Sequence, residues 1–232
     1  MLTLAAQPQI LRVITDVSRS KIEFDGHPPA DFNLGQYLVG SVSAGLHRIS
    51  VAGLNGETSF SFESATAKLP AITGTVATRN VLAVLVATFG RRARLVTSSG
   101  PWHLAVNGRP ENDAGPAGVE LKTFQPGVAE FVLSRGNERH AVKQSFGIAP
   151  ALTAFLVSDV NEGMLVVATN EANVRVFVNG REYRSKRGLL RIPTIGPVSV
   201  RVSKSGFRDS PTQTAEVRKR SQTRLEFRLE RQ

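Results

Sequence analysis

The residues of this sequence that could do chemistry begin with a Ser-Lys pair close to the amino terminus. Ser18 and Lys21 form a Ser-x-x-Lys string, the spacing that some acyl-transferring serine enzymes present on a helix. Here the pair lies at the start of a predicted strand, where an odd offset sends two side chains to opposite faces. The sequence therefore predicts no Ser-Lys nucleophile.

Histidines and acidic turn residues are the remaining candidates for catalysis or metal binding. The four histidines are His27, His47, His103 and His140, and none belongs to a His-Glu-x-x-His pair. Asp16, Asp25 and Asp31 lie near turns and could line a calcium site, but aspartates in turns usually bond their own backbone. Solvated or structural roles are therefore favoured for all of these residues.

Other catalytic classes are excluded by composition. The chain has no cysteine, which rules out a disulfide framework, a thiolate zinc site and a cysteine nucleophile. No glycine-rich phosphate loop or dinucleotide fingerprint occurs, because the glycines are spaced by turns. The sequence predicts a protein that is not an enzyme and holds no cofactor or metal.

The basic residues of the last third of the chain are the strongest candidates for a binding site. Residues 1–162 carry 14 basic and 13 acidic side chains, a net charge of +1, whereas residues 163–232 carry 15 and 6, a net charge of +9. A basic end beside two nearly neutral segments indicates a local feature. The predicted anion-binding residues are Arg175, Arg181, Arg184, Lys186, Arg187, Arg201, Arg218, Lys219, Arg220, Arg224 and Arg228.

Strand periodicity suggests how these cations are arranged. The polar positions of alternating strands hold Arg175, Arg201, Arg224 and Arg228, so some of these should share an exposed sheet face. The loops are expected to add Arg181, Arg184, Lys186, Arg187, Arg191 and the run Arg218-Lys219-Arg220. Such a cluster attracts nucleic acid, anionic lipid or acidic cell-wall polymer. Aromatic residues that could stack bases are scarce there. The alternative is a solvated face that only favours solubility and protects a sheet edge.

A threefold repeat organises the chain. Each repeat begins with an apolar strand and a short polar break, and a second strand then ends in a turn dipeptide; the three segments are Leu11 to Gly26, Arg94 to Gly108 and Met164 to Gly180. The turn dipeptides are Asp25-Gly26, Asn107-Gly108 and Asn179-Gly180. Asp-Gly and Asn-Gly favour the positive φ angles of type I′ turns. Each dipeptide therefore predicts a tight hairpin.

A second landmark glycine follows each hairpin. Gly45 and Gly127 lie 20 residues after Asp25 and Asn107, and Gly196 lies 17 residues after Asn179. Each glycine leads into an alternating strand. The same ordered pair of landmarks, found three times, predicts three related β units.

One more strand closes each repeat, at Val81 to Phe89, Ala151 to Val157 and Arg224 to Glu230. No amphipathic helix interrupts the series, so we expect an all-β protein of three tandem small β-sandwiches, with domains at 1–90, 91–160 and 161–232. The first two closing strands are apolar on both faces, which predicts interfaces between units. The alternative is that both are central strands of thick sandwiches.

The third repeat resembles a PEGA domain, a short β-rich module found mainly in bacterial and archaeal envelope or sensory proteins. The resemblance rests on the segment ending in Asn179-Gly180, on the Val-rich strand after Gly196, and on Lys204, Gly206 and Phe207, which match a Lys-x-Gly-aromatic motif. The signature tetrapeptide is replaced by Asn170-Glu171-Ala172-Asn173, and Lys186-Arg187-Gly188 stands where Gly-x-x-Pro is usual. The first two repeats keep only the hairpin and the glycine.

The resemblance implies a tandem, noncatalytic module attached to other domains, with no shared catalytic residues. We therefore expect a binding or spacer module of a bacterial envelope or sensory protein, outside the cytoplasm or tethered to a membrane. Its basic third domain would contact an anionic polymer, a lipid surface or a partner protein. The alternative is a cytoplasmic protein that binds nucleic acid or an anionic scaffold.

Targeting signals are not evident in the sequence. Met1 to Gln9 lacks the charged flank and apolar stretch of a signal peptide. The longest apolar run, Val81 to Phe89, is about half the length of a spanning helix. The sequence predicts either a cytoplasmic protein or one whose targeting segment lies elsewhere.

Overall fold

The chain folds into β-strands throughout. The computed structural model describes residues 9–160, 162–219 and 221–231. Strands make up 64% of the structure and the described residues form no helix, which confirms the predicted all-β class. No segment of these residues forms a helix of the length and apolarity needed to cross a bilayer. The chain divides into two compact units, Met1–Val160 and Asn161–Gln232, which we name the first unit and the second unit.

The strands alternate with tight turns in both units. Those of the first unit are β1 (Gln9–Thr15), β2 (Lys21–Phe24), β3 (Ala30–Asp31), β4 (Gln36–Val42), β5 (Gly45–Ala52), β6 (Glu57–Ser64), β7 (Ala71–Arg79), β8 (Val81–Phe89), β9 (Arg92–Thr97), β10 (His103–Val106), β11 (Arg109–Pro110), β12 (Val119–Glu120), β13 (Gly127–Arg135), β14 (Glu138–Phe146) and β15 (Ala151–Ser158). Those of the second unit are β16 (Gly163–Thr169), β17 (Val174–Val178), β18 (Arg181–Ser185), β19 (Leu189–Thr194), β20 (Gly196–Ser203), β21 (Gln213–Val217) and β22 (Gln222–Phe227).

The first unit has three layers. Its central sheet has six strands in the order β12-β9-β8-β15-β1-β4. A five-stranded sheet, β3-β2-β5-β6-β7, packs on one face, and a four-stranded sheet, β11-β10-β13-β14, packs on the other. The two interfaces are separate hydrophobic cores, which we name the first-repeat core and the second-repeat core after the sheets that cover them.

Strand β8 shows why the central sheet needs a cover on both faces. Successive side chains of a strand point to opposite faces. Leu82, Val84 and Val86 belong to the second-repeat core, and the intervening Ala83 and Leu85 to the first-repeat core. The same holds for β15, and both strands are buried over most of their length. The predicted two-face coverage is confirmed, since both strands lie at the centre of the sheet that the two cores share.

The predicted boundary at residue 90 falls inside this shared sheet. Gly90, with a φ of 57°, lies in the turn that joins the paired strands β8 and β9. Residues 1–90 and 91–160 thus contribute to one central layer instead of forming two separate bodies. The apolar runs indicate burial of these strands, but no local pattern specifies the neighbour with which each strand pairs.

The closing strands of the first two repeats are exchanged. In the third repeat, the first strand β16 pairs in parallel with its own closing strand β22, as in Val167 opposite Leu225. In the first unit, β1 pairs in parallel with β15, the closing strand of the second repeat, as in Val13 opposite Ala154. The first repeat's own closing strand, β8, lies between β9 and β15. The first repeat is therefore completed by a strand from the second.

The second unit is a two-layer sandwich. One sheet has the order β19-β16-β22 and the other β18-β17-β20-β21. Valines of β17 and β20 alternate with exposed or half-buried residues, and Val176 and Val200 are fully buried against Leu165 of β16. The alternation leaves the outer face of the four-stranded sheet to polar side chains and to Phe177.

The three hairpins share one hydrogen-bonding pattern. The turn residue has positive φ, 50° at Asp25, 49° at Asn107 and 47° at Asn179, and so does the glycine after it. In each hairpin, the side-chain Oδ1 of the turn residue accepts a hydrogen bond from the backbone N–H three residues after the landmark glycine. These N–H donors belong to Arg48, Glu130 and Ser199. The landmark glycine is thus the first residue of the strand that each turn residue anchors.

Candidate anion-binding surface

The candidate catalytic and metal-binding residues take separate structural roles. Ser18 lies in a turn, and the Lys21 ammonium lies 3.8 Å from the carboxylate of Asp31. The Asp16 carboxylate accepts a hydrogen bond from the Ser158 backbone N–H. Within the described ranges, no group of three metal-binding side chains occurs.

His47 is the most enclosed of the candidate residues. Its side chain is 6% exposed, and its ring stacks against Phe24 with centroids 5.5 Å apart. Nδ1 lies 2.7 Å from Asp25 Oδ2, and Nε2 lies 2.9 Å from the Ser43 carbonyl oxygen. Both ring nitrogens therefore serve to join a hairpin to a strand. His140 is also buried and packs edge-on against Trp102, whereas His103 is exposed beside Asp113.

The outer face of the four-stranded sheet in the second unit holds three of the predicted cations. Arg175 in β17 lies directly opposite Arg184 in β18, and Arg201 in β20 lies on the same face one pair further along. All three are exposed, because the residues between them point into the core. The structure thus brings together Arg175 and Arg201, as strand periodicity suggested, and adds Arg184 to them.

Acidic partners are unevenly distributed over this face. Arg184 Nε lies 3.3 Å from Glu182, and Arg201 Nη1 lies 2.6 Å from Asp209. Among the described residues, no acidic side chain forms an ion pair with Arg175. Like charges directly opposite each other on a sheet are destabilising. The Arg175–Arg184 pair is therefore a point where a bound anion would lower the energy of the surface.

Two loop cations extend the pair. Lys186 and Arg187 follow β18 directly, at the end of the sheet where Arg184 lies opposite Arg175, and both are exposed. The loop turns at Gly188, whose φ is 72° and whose Cα faces the Thr169 carbonyl oxygen. We name the set Arg175, Arg184, Lys186 and Arg187 the basic end of the second unit.

The remaining predicted cations lie elsewhere. Arg224 is in β22 of the other sheet, where it pairs with Glu226 at 2.8 Å, and Arg228 follows that strand. Because the two sheets of a sandwich pack through their inner faces, Arg224 does not share a face with Arg175 and Arg201. Arg218 and Lys219 follow β21 at the end away from the basic end, and Arg220 lies outside the described residues.

Several expected loop residues belong to strands. Arg181 and Arg184 are in β18, and Arg191 is in β19. The Arg181 guanidinium stacks 5.4 Å from the Tyr183 ring centroid. The short hairpin after Asn179 explains the difference, because the chain re-enters the sheet within two residues.

Sequence reasoning missed the role of Lys204. Its ammonium lies 2.8 Å from the Glu171 carboxylate and 4.9 Å from the Phe207 ring centroid. Both charged side chains are about one-quarter exposed, at 25% and 27%. The pair joins the tetrapeptide Asn170 to Asn173 to the segment Lys204 to Phe207. The 33 positions between the two residues explain why the sequence alone did not indicate this pair.

Comparison with known proteins gives no match in sequence. No protein-family model matches the chain, and no curated protein sequence is similar to it. Among solved structures, the TIE protein of Bacillus anthracis aligns with 96% of this chain and 51% of its own, at 9% identity and a TM-score of 0.36. GBS52, the minor pilin of the Gram-positive pathogen Streptococcus agalactiae, aligns with 97% of this chain and 96% of its own, at 10% identity and a TM-score of 0.28. The chain spans about half the length of the TIE protein.

Proposed function

We propose that this protein is a noncatalytic tandem β module of the bacterial envelope, with a PEGA-like third repeat, and that it binds an anionic cell-wall polymer through its basic end. The proposal rests on Arg175, which lies directly opposite Arg184 and forms no ion pair with an acidic side chain of the described residues. An acidic polymer would supply Arg175 with the negative charge that Arg184 already has in Glu182, and the neighbouring Lys186 and Arg187 would extend the contact.

A polymer fits this surface better than a small ligand. The basic end lies on exposed strand and loop residues, and its cations are spread over one end of the sheet. Surface charges of this kind attract chains of repeated phosphates or carboxylates with a strong dependence on salt. Base stacking has little support, because the Phe177 ring lies under the Arg201 guanidinium at 4.8 Å. Nucleic acid is therefore the second candidate ligand, and the experiment below compares it with the polymer.

The test compares two triple variants of equal net charge. In the first variant, alanine replaces Arg175, Arg184 and Arg187. In the matched control, alanine replaces Arg181, Arg218 and Arg224. Binding to poly(glycerol phosphate), to random duplex DNA and to phosphatidylglycerol vesicles is measured by titration at low and at physiological salt. We expect the first variant to bind the polymer about tenfold more weakly and the control less than about threefold more weakly.

The outcomes decide between the candidates. Equal losses in both variants would mean that only the overall charge matters and would overturn the assignment to the basic end. Preference for DNA over the polymer at the same salt concentration would favour the nucleic-acid reading. Absence of binding to all three probes at low salt would reject anion binding altogether.

A further inference from the structure

The two covering sheets of the first unit differ by one strand. The sheet of the first repeat ends with β6 and β7, whereas the sheet of the second repeat ends with β14. Strands β6 and β14 occupy equivalent places, because the landmark glycines pair with their last residues, Gly45 with Ser64 and Gly127 with Phe146. The position that β7 fills in the first repeat is therefore not filled by any described strand in the second.

The free edge of β14 carries backbone groups that face away from β13. Arg12 donates a hydrogen bond to the Ser145 carbonyl oxygen at 3.2 Å, so Ser145 points its backbone groups outward. In an antiparallel pair, such residues alternate along the strand. The N–H and C=O groups of Lys143, Ala141 and Arg139 therefore also face the open edge. A row of this kind is a template for another strand.

A groove with an apolar floor runs beside this edge. It has a volume of about 430 Å³ and is lined by Ala141 to Gln144 on one side and by Ile14, Phe155 and Val157 on the floor. Leu34, at its rim, is fully exposed. In the first repeat, Ile72 and Val76 of β7 are partly buried against the corresponding core. The groove can accept apolar side chains from alternate residues of an added strand in the same way.

The open edge is more basic than the equivalent strand β6 of the first repeat. Glu57 of β6 forms an ion pair with Arg79 of β7 at 3.0 Å, and these residues are directly opposite. When β6 and β14 are aligned at the residues that pair with the landmark glycines, Arg139 is equivalent to Glu57, and Lys143 is equivalent to Ser61. The strand that complements β14 should therefore carry acidic residues where β7 carries a basic one.

We propose that the open edge of β14 binds an extended acidic segment of a partner protein, which adds antiparallel to β14 as the fifth strand of its sheet. Main-chain hydrogen bonds to the edge residues would supply affinity. Specificity would come from the side chains of the added segment. Its alternate apolar side chains would lie over Ile14 and Phe155, and its acidic side chains would lie opposite Arg139 and Lys143. The site is independent of the basic end in the second unit.

The first experiment uses peptides copied from β7. One fluorescein-labelled probe has the sequence of residues 71–79, and a second carries Thr73→Glu and Arg79→Glu, because Thr73 and Arg79 lie opposite the equivalents of Lys143 and Arg139. Binding to the full chain is measured by fluorescence polarisation. We expect the acidic probe to bind at least about tenfold more tightly than the unmodified one. Equal binding of both probes would overturn the proposed specificity.

Amide hydrogen exchange identifies the edge that is used. Addition of the acidic probe should slow the exchange of the Ala141 and Lys143 amides, which face the open edge. The Val142 amide is the internal control, because it already faces β13 and should change little. Slowed exchange elsewhere with no change at Ala141 and Lys143 would place the peptide at another site and contradict the proposal.

Charge reversal in the protein completes the test. The variant Arg139→Glu/Lys143→Glu should lose at least about tenfold in affinity for the acidic probe and gain affinity for the unmodified, basic one. The matched control Lys68→Glu/Arg92→Glu changes two exposed cations away from the groove and should retain the preference. The unmodified chain could also self-associate, with the association lost in the Arg139→Glu/Lys143→Glu variant. This result would assign the edge to a second copy of the chain and would overturn the proposal of an acidic partner.

Discussion

Asp25 shows how one side chain can take an additional role within a repeated hairpin. Its Oδ1 accepts the same backbone hydrogen bond that Asn107 and Asn179 accept in the other repeats. Its second oxygen contacts His47, which lies two residues after the landmark glycine Gly45. The equivalent positions hold Ala129 and Val198. Only the first repeat has a histidine at this position, and only the first repeat has an aspartate instead of an asparagine in the turn.

The exchange Asp25→Asn tests this second contact at the residue scale. Asparagine keeps the Oδ1 hydrogen bond but removes the carboxylate from a nearly buried imidazole, so we expect a loss of about 1–2 kcal/mol in the free energy of unfolding. The mirror change, Asn107→Asp, has no histidine to contact and should alter stability by less than about 0.5 kcal/mol. Denaturant unfolding measures both, and equal losses would refute a specific Asp25–His47 interaction.

Residue types predicted the hairpins but not the contacts of their side chains. Asp-Gly and Asn-Gly indicate a positive-φ turn because the preference is local to two residues. The contact of His47 with Asp25 spans 22 positions, and that of Lys204 with Glu171 spans 33. Pairs at such distances form only after the strands are aligned, and a single sequence does not specify that alignment.

Strand β8 allows a prediction at the scale of one element. Leu82 and Leu85 point to opposite faces of the central sheet, and each is almost completely buried, in a different core. Leu82→Ala and Leu85→Ala should therefore each cost about 2–5 kcal/mol in the free energy of unfolding. Leu46→Ala, at a leucine that is 70% exposed, is the control and should cost less than about 1 kcal/mol. Chemical denaturation compares the three, and a low cost at either buried leucine would contradict two-face burial.

The limits of sequence reasoning at this scale are visible in the basic strands. Alternation correctly placed Arg175 and Arg201 on one outer face. It also placed Arg224 at a polar position of an alternating strand, but alternation within a strand does not specify which sheet the strand joins. The partner of β22 is β16, over 50 residues earlier in the chain. The sequence therefore predicted which basic residues are candidates for the site, but only in part which of them lie together.

At the scale of the whole molecule, the first two repeats depend on one sheet. Without residues beyond 90, β1 would lack its parallel partner β15, and β8 would lack both of its neighbours. We expect residues 1–90 alone to stay unfolded or to aggregate, because both faces of β8 would expose apolar side chains. Residues 1–160 should fold and unfold in a single cooperative transition.

Circular dichroism and thermal unfolding of the two fragments measure this dependence. The matched control is residues 161–232, whose closing strand pairs within the same repeat and which should therefore show β structure without the first unit. A folded, monomeric 1–90 fragment would show that the exchanged strand is dispensable. Two separate transitions in 1–160 would show that its cores form independently.

Strand exchange also affects the order in which a ribosome can complete the protein. Synthesis makes β8, the most apolar strand of the chain, about 60 residues before β15, which ends at Ser158 and seals one side of it. During that interval β8 can pair with β9 as a hairpin, but its other edge, which β15 later covers, stays accessible to other nascent chains. Rapid elongation through residues 90–158, or a chaperone that holds β8, would then decide how much of the polypeptide reaches its native state.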